Sequence, residues 1–158
     1  MRQKIDKVLE HILVALMAIN TLDVLWGVFT RYVMGAQASW SEELARFLLI
    51  WIGILGAAWA SGKNMHLAID LFPSSLDPVR RRKLYKYIDV LIIIFAFFVM
   101  VIGGARLVYV TFILGQVSAA LQLPLAWVYI VLPISGLLVI YYKADDLLNN
   151  NPQPTEAV

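Results

Sequence analysis

There is no cysteine among the 158 residues. This excludes a disulfide framework, a thiolate metal site and a cysteine nucleophile, and it removes the residue from which a redox compartment is usually read. Histidine occurs only twice, at His11 and His66, so no pair has the close spacing of a helical metal site. Charge is sparse as well: Asp, Glu, Lys and Arg make up 15% of the chain, against about 25% in a typical soluble domain. No glycine-rich phosphate loop and no nucleophile with an evident base is present. Glu42 and Glu43 are adjacent, but neighbours on a helix point about 100° apart and do not form an acid–base pair across a substrate. The composition therefore argues against an enzyme, and it implies no cofactor and no metal.

What the chain has in abundance is apolar residues, 61% of the total, with a mean hydropathy of +0.75. That is too apolar for a soluble domain, which must cover its core with polar surface, and it implies a polytopic membrane protein. The formal net charge of +2 comes from cations that flank apolar segments. Membrane topology accounts for that placement better than nucleic-acid binding does.

The clearest span begins at Ser39. From Leu44 to Ser61 the only charge is Arg46, and a run of about 18 or more mostly apolar residues matches a hydrocarbon core roughly 30 Å thick. Ser39 with Glu42 fits a capping box, Glu42 to Arg46 is a favourable i,i+4 pair, and Glu43 offers an i,i+3 alternative. Trp40 suits the headgroup belt, while Gly53, Gly56, Ala57 and Ala60 make a small-residue face for close helix packing.

Ahead of this span, Arg2, Lys4 and Lys7 precede an apolar run as in a signal peptide. The apolar character continues to Val33, however, so a retained first helix is expected over about Val8–Thr30. After Lys63 a mixed segment containing His66 and Asp70 is too short to span and is expected at the interface. Asp77–Pro78 then reads as an N-cap with proline at the first helical position. The following helix carries Arg80, Arg81, Arg82 and Lys83 through the lipid headgroups before a third span from Ile88 to about Thr111. Gly103 and Gly104 form a close-packing point there, and Gly115 is a plausible helix terminator. A fourth span, about Leu125–Tyr142, should kink at Pro133.

The expected fold is all-α: one four-helix transmembrane domain over residues 1–145, with spans at about 8–30, 42–62, 88–111 and 125–142. A polar tail over 146–158 is expected to fray. The cations of the N-terminus and of the connection between spans two and three place both termini in the cytoplasm by the positive-inside rule. Asp23, Arg31, Glu42, Glu43, Arg46 and Arg106 then fall together near the outer surface. Asp23 is expected to pair with Arg46 or Arg106. The competing reading is that the arginines snorkel and the glutamates only cap their helix. His11 and His66, on different segments, leave open a haem or quinone anchor subunit of an oxidoreductase. A small homo-oligomeric transporter is a further alternative, disfavoured because the spans are unbroken and nearly uncharged at their centres.

The residues W-S-E-E-L-A-R at Trp40–Arg46, H-L-A-I-D at His66–Asp70, L-P-L-A-W-V-Y at Leu123–Tyr129 and P-I-S-G at Pro133–Gly136 resemble a known family. It is the DctQ-type small membrane subunit of tripartite ATP-independent periplasmic (TRAP) transporters. The resemblance implies a four-helix subunit of the bacterial inner membrane that binds a large multispan subunit holding the solute and sodium sites. It also implies a soluble periplasmic solute-binding protein that delivers a small organic acid, such as a C4-dicarboxylate, a sugar acid or sialic acid. By that analogy Trp40, Glu42, Glu43 and Arg46 are candidate assembly residues at the outer side, and the outward charged layer adds Asp23 and Arg106 to them.

Overall fold

The computed structural model describes residues 2–36, 38–63 and 78–149. The interfacial segment with His66 and Asp70, the Asp77 cap, the side chains of Arg81 and Arg82, and the tail beyond residue 149 lie outside the described residues. The order of elements is α1 (Arg2–Val33), α2 (Ser39–Gly62), α3 (Pro78–Phe95), a π-helical stretch (Ala96–Gly103), α4 (Gly104–Ile113), α5 (Leu125–Tyr129) and α6 (Val131–Asn149). α3, the π stretch and α4 run on as one rod, and α5 with α6 as another. The described residues thus contain four helices long and apolar enough to cross a membrane. At 1.5 Å per residue α1 is about 48 Å long, so it overshoots a core of about 30 Å and carries its basic first turns beyond it.

Local chemistry explains the ends and interruptions. Gly115 takes φ +58, a left-handed conformation that costs glycine little. It donates its amide to Phe112 while Gln116 donates to Thr111, each at 3.1 Å, the paired bonds of a Schellman end. Pro133 lacks an amide and crowds the carbonyl four residues back. The rod is interrupted at Ile130, and the Ile134 amide reaches the Ile130 carbonyl only at 3.4 Å. The capping box expected from Ser39 and Glu42 does not form. The helix begins at Ser39 itself, so Ala38 is the N-cap and no side chain caps the helix; Ser41 is turned inward and donates to the Asp23 carbonyl at 3.0 Å.

The helices pack in the order α1, α2, α6, then the α3–π–α4 rod, and among the described residues no packed seam joins the first helix to that rod. Leu9, Leu55, Val131 and Tyr142 fill the seam among α1, α2 and α6, with Trp51 and Trp59 packed against them. Ala58, Ala96 and Val139 fill the next seam, towards the π stretch. α6 lies close against the π stretch at Gly136 and against the start of α4 at Gly104. A Cβ on Gly136 would lie 2.8 Å from Met100 Cβ, and one on Gly104 would lie 3.0 Å from Pro133 Cδ. The widened π turns lie opposite Gly136, next to the proline that interrupts α6. Large apolar side chains such as Val14, Leu22, Leu25, Leu91, Phe98 and Phe112 point outward and are exposed. A soluble protein does not carry such a periphery, whereas a lipid- or partner-facing surface requires one.

Candidate functional site

Polar side chains concentrate at the two ends of the helix row. At the end remote from the termini, α2 presents Trp40, Glu42, Glu43 and Arg46 within two turns. Successive positions diverge by about 100°, so these residues serve different faces. Glu42 and Arg46 stand one above the other and pair at 3.2 Å, with both side chains about two-thirds exposed. Such a pair contributes little to stability. Trp40 is also exposed.

Glu43 turns the other way, onto the loop between α4 and α5. Its carboxylate accepts the backbone amides of Ala119, Ala120 and Leu121 at 3.0, 2.9 and 2.8 Å. Three consecutive amides converging on one anion form a charge-assisted clamp. The loop is braced within itself as well. The Ser118 amide donates to the Leu123 carbonyl and the Leu125 amide to the Gln116 carbonyl, both at 2.9 Å. The Leu123 amide reaches Ser118 Oγ at 3.2 Å. Residues 116–124 are therefore a rigid hairpin-like cap fastened to the start of α2.

Asp23 meets neither of its expected partners. It is 6% exposed, and among the described residues neither carboxylate oxygen has a hydrogen-bond partner. Arg46 is engaged by Glu42, and Arg106 is exposed on α4 with no ion pair among the described residues. Asn20, one turn before Asp23, also has its buried Oδ1 without a partner. The charged layer expected at this end thus separates into a local surface pair, a loop clamp, an isolated buried carboxylate and outward arginines.

The opposite end holds a network that sequence reasoning missed. The Arg2 guanidinium bonds Asp145 at 3.1 Å and Asp146 at 2.5 Å, and also the Gly62 carbonyl that ends α2. It stacks over the Tyr142 ring, and the Tyr142 hydroxyl donates to Asp6 at 2.6 Å. Lys143, 2% exposed, lies 3.2 Å from Asp89 on α3 and 3.7 Å from Asp146. First helix, second helix, third rod and last helix are tied together there. Arg2 looked like a topology signal and Asp146 like the start of a frayed tail, yet α6 continues through both aspartates to Asn149. The one available hint was the Lys143–Asp146 spacing of three residues, which puts both on one helix face.

The small-residue positions divide in two. Gly104 is pressed against Pro133, whereas a Cβ at Gly53 or Gly56 would meet nothing within 4 Å. Ala57 and Gly103 are also exposed, and Ala60 is half-buried. Arg80 and Lys83 are exposed on α3, as a headgroup contact requires. His11 is exposed, with Nδ1 2.6 Å from the Lys7 carbonyl.

A chain of four apolar rods, with its polar groups gathered at the two ends, is a multi-pass membrane protein. Residues 20–150 match the family described as tripartite ATP-independent periplasmic transporters, DctQ component, and the chain belongs to that family. Relatives agree. The sialic acid TRAP transporter small permease protein SiaQ of Vibrio cholerae is 25% identical, over 94% of this chain and 84% of its own length. The C4-dicarboxylate TRAP transporter small permease protein DctQ of Rhodobacter capsulatus is 28% identical, over 68% of this chain and 47% of its own. The isethionate TRAP transporter permease protein DctMQ of Oleidesulfovibrio alaskensis is 32% identical over 84% of this chain, but that match covers only 21% of DctMQ. In DctMQ a segment of this kind is thus part of a much longer permease chain. The protein is accordingly a small TRAP transporter subunit of the inner membrane.

Proposed function

We propose that this chain is the fixed scaffold of a sodium-coupled TRAP transporter. It pairs with a large multispan subunit that carries the solute and sodium, and the complex receives solute from a periplasmic solute-binding protein. The observation that carries this reading is the family match over residues 20–150. The distribution of polarity supports the scaffold role: ion pairs occupy the ends of the row, and between them the described residues hold no ion pair that would mark a transport site. The exposed apolar periphery and the open stripe at Gly53 and Gly56 are surface for the large subunit and for lipid. The network around Arg2 and Lys143 makes the row stiff enough for a moving partner to work against. Both termini face the cytoplasm, which puts Trp40, Glu42, Arg46 and Arg106 at the periplasmic rim as assembly contacts, while Arg80 and Lys83, with Arg81 and Arg82, meet inner-leaflet phosphates. The solute is a small organic acid; sialic acid, C4-dicarboxylate and isethionate in the relatives' names are all small organic anions.

The test is to tag this chain, extract it in mild detergent and identify what co-purifies. The expected result is a stoichiometric, much larger polytopic subunit, and sodium-dependent uptake in vesicles only when both chains and a soluble binding protein are present. Transport by this chain alone, or a coloured complex with haem absorbance, would overturn the reading.

A further inference from the structure

α3 divides its charges between two opposite faces. Asp89 turns inward and meets Lys143 at 3.2 Å. Arg80 comes nine positions before Asp89, and nine steps of about 100° bring it to the other side of the helix. On that outward side Arg80, Lys83, Tyr87, Leu91 and Ile94 recur every three or four residues and fall in an arc of about 80°. All five are exposed. The fold makes no use of the two cations on this stripe. At the same end of the row Asp145 and Asp146 hold Arg2, Asp6 lies 3.9 Å from Lys63, and Asp89 is taken by Lys143. Among the described residues neither Arg80 nor Lys83 belongs to an ion pair. Two such cations one turn apart, beside the positive end of the helix dipole, call for an anion.

Along the helix the stripe changes as a bilayer does. Tyr87 stands where the cations give way to apolar residues, the place of an interfacial aromatic. The rise from Lys83 to Ile94 is about 16 Å, close to one leaflet of a core about 30 Å thick. A second helix fits this face poorly. The chain's own seams close at small residues: Gly104 on Pro133, Gly136 on Met100, and Ala58 with Ala96. From Tyr87 to Val99 no exposed side chain is smaller than valine. The open positions at Gly53 and Gly56 on α2 are the kind that admits a partner helix. A ridge of large side chains suits mobile acyl chains instead, and the cations at its head suit a phosphate.

We propose that the outward stripe of α3 is the seat of one anionic phospholipid: Arg80 and Lys83 hold its phosphate, Tyr87 lies at the level of its glycerol, and Leu91 and Ile94 line its acyl chains. This rests on the headgroup contact proposed above and narrows it from any phosphate to a lipid of net negative charge. A zwitterionic headgroup would bring its own cation to a place that already holds two, and like charges there repel.

The full chain, purified in a neutral detergent, is titrated with phosphatidylglycerol and read by native mass spectrometry. Phosphatidylcholine with the same acyl chains and inorganic phosphate are the comparison probes. Phosphatidylglycerol should be retained at lower concentration than phosphatidylcholine, and inorganic phosphate should not displace it. Each cation near an anionic headgroup strengthens binding about fivefold, so the double variant Arg80→Gln/Lys83→Gln should weaken retention roughly thirtyfold. The charge-conserving pair Arg80→Lys/Lys83→Arg should keep it. Both positions are exposed, so the variants should melt with the wild type. Equal retention of the two lipids, displacement by inorganic phosphate, or unchanged retention in the glutamine variant overturns the inference. The same titration on the complex with the large subunit tests the other occupant: loss of the lipid there would assign the face to that subunit and overturn the inference as well. Failure of any large subunit to co-purify would instead remove the proposed function, and the lipid comparison on the chain would still decide this one.

Discussion

Adding one methyl group to different glycines of this chain should have opposite consequences, and the structure sets the sizes. At Gly136 the new Cβ would lie 2.8 Å from Met100 Cβ, 2.9 Å from Val101 Cγ2 and 3.2 Å from the Val101 backbone nitrogen. Carbon pairs are at ease at about 3.5–4.0 Å. None of these atoms is the end of a flexible side chain, so α6 and the π stretch must separate by somewhat under 1 Å along their whole seam. Overpacking of this kind costs about 1–3 kcal/mol. At Gly53 and Gly56 nothing lies within 4 Å, and relief from glycine's backbone entropy favours alanine by about 0.5–1 kcal/mol. The assay is thermal unfolding of the purified chain in detergent, followed by loss of helical signal. Gly136→Ala should melt several degrees below wild type, and Gly53→Ala and Gly56→Ala at or slightly above it. Capture of the large subunit gives a second axis: the Gly53 and Gly56 variants should capture less of it although their own stability is intact. A Gly136→Ala chain as stable as wild type would refute the packing argument at its base.

Lys143→Met should be among the most damaging single changes, because it removes the cation nearest to the buried Asp89 carboxylate and leaves Asp146 with Arg2 alone. A loss of about 3–5 kcal/mol is expected in the same melt, with Lys143→Arg retaining part of the stability. Asp23→Asn should behave in the opposite way, since it removes a buried charge that no donor among the described residues meets. The isolated chain should melt at or above the wild-type temperature, and a clear drop would contradict the description of Asp23 as unpaired. The absence of cysteine makes topology directly testable with Gln116→Cys and Leu148→Cys, both at exposed positions. A membrane-impermeant maleimide should label the first in intact spheroplasts and the second only after lysis, and the reverse pattern would invert the proposed orientation.

Features visible in the sequence are those whose physics is local. The Glu42–Arg46 pair spans one turn, and the Gly115 terminator is a single-residue property. Invisible features join residues far apart in the chain. Glu43 reaches amides 76 to 78 positions away, and Arg2 reaches aspartates 143 and 144 positions away. Reading Glu43 as one of a pair of helix-start acids was reasonable, because Glu42 and Glu43 are chemically alike. Only the 100° step between them decides that one faces water and the other the loop. Asp23 shows the opposite error: its pairing with Arg46 or Arg106 rested on shared depth in the membrane, and shared depth says nothing about which helix face each residue occupies.

Hydropathy and chain length by themselves determined that this protein crosses the membrane four times, because the solvation of apolar residues depends on composition over about twenty residues rather than on partners. Its family could likewise be read from short runs such as Trp40–Arg46. The tertiary structure alone decided how those spans are tied together. It put α6 between α2 and the third rod, opposed Gly136 to the π turns, and buried Lys143 between two aspartates from different helices. It also turned one glutamate into the clamp of a distant loop. Those outcomes depend on helix rotation and order. A linear sequence encodes these only through all its contacts at once.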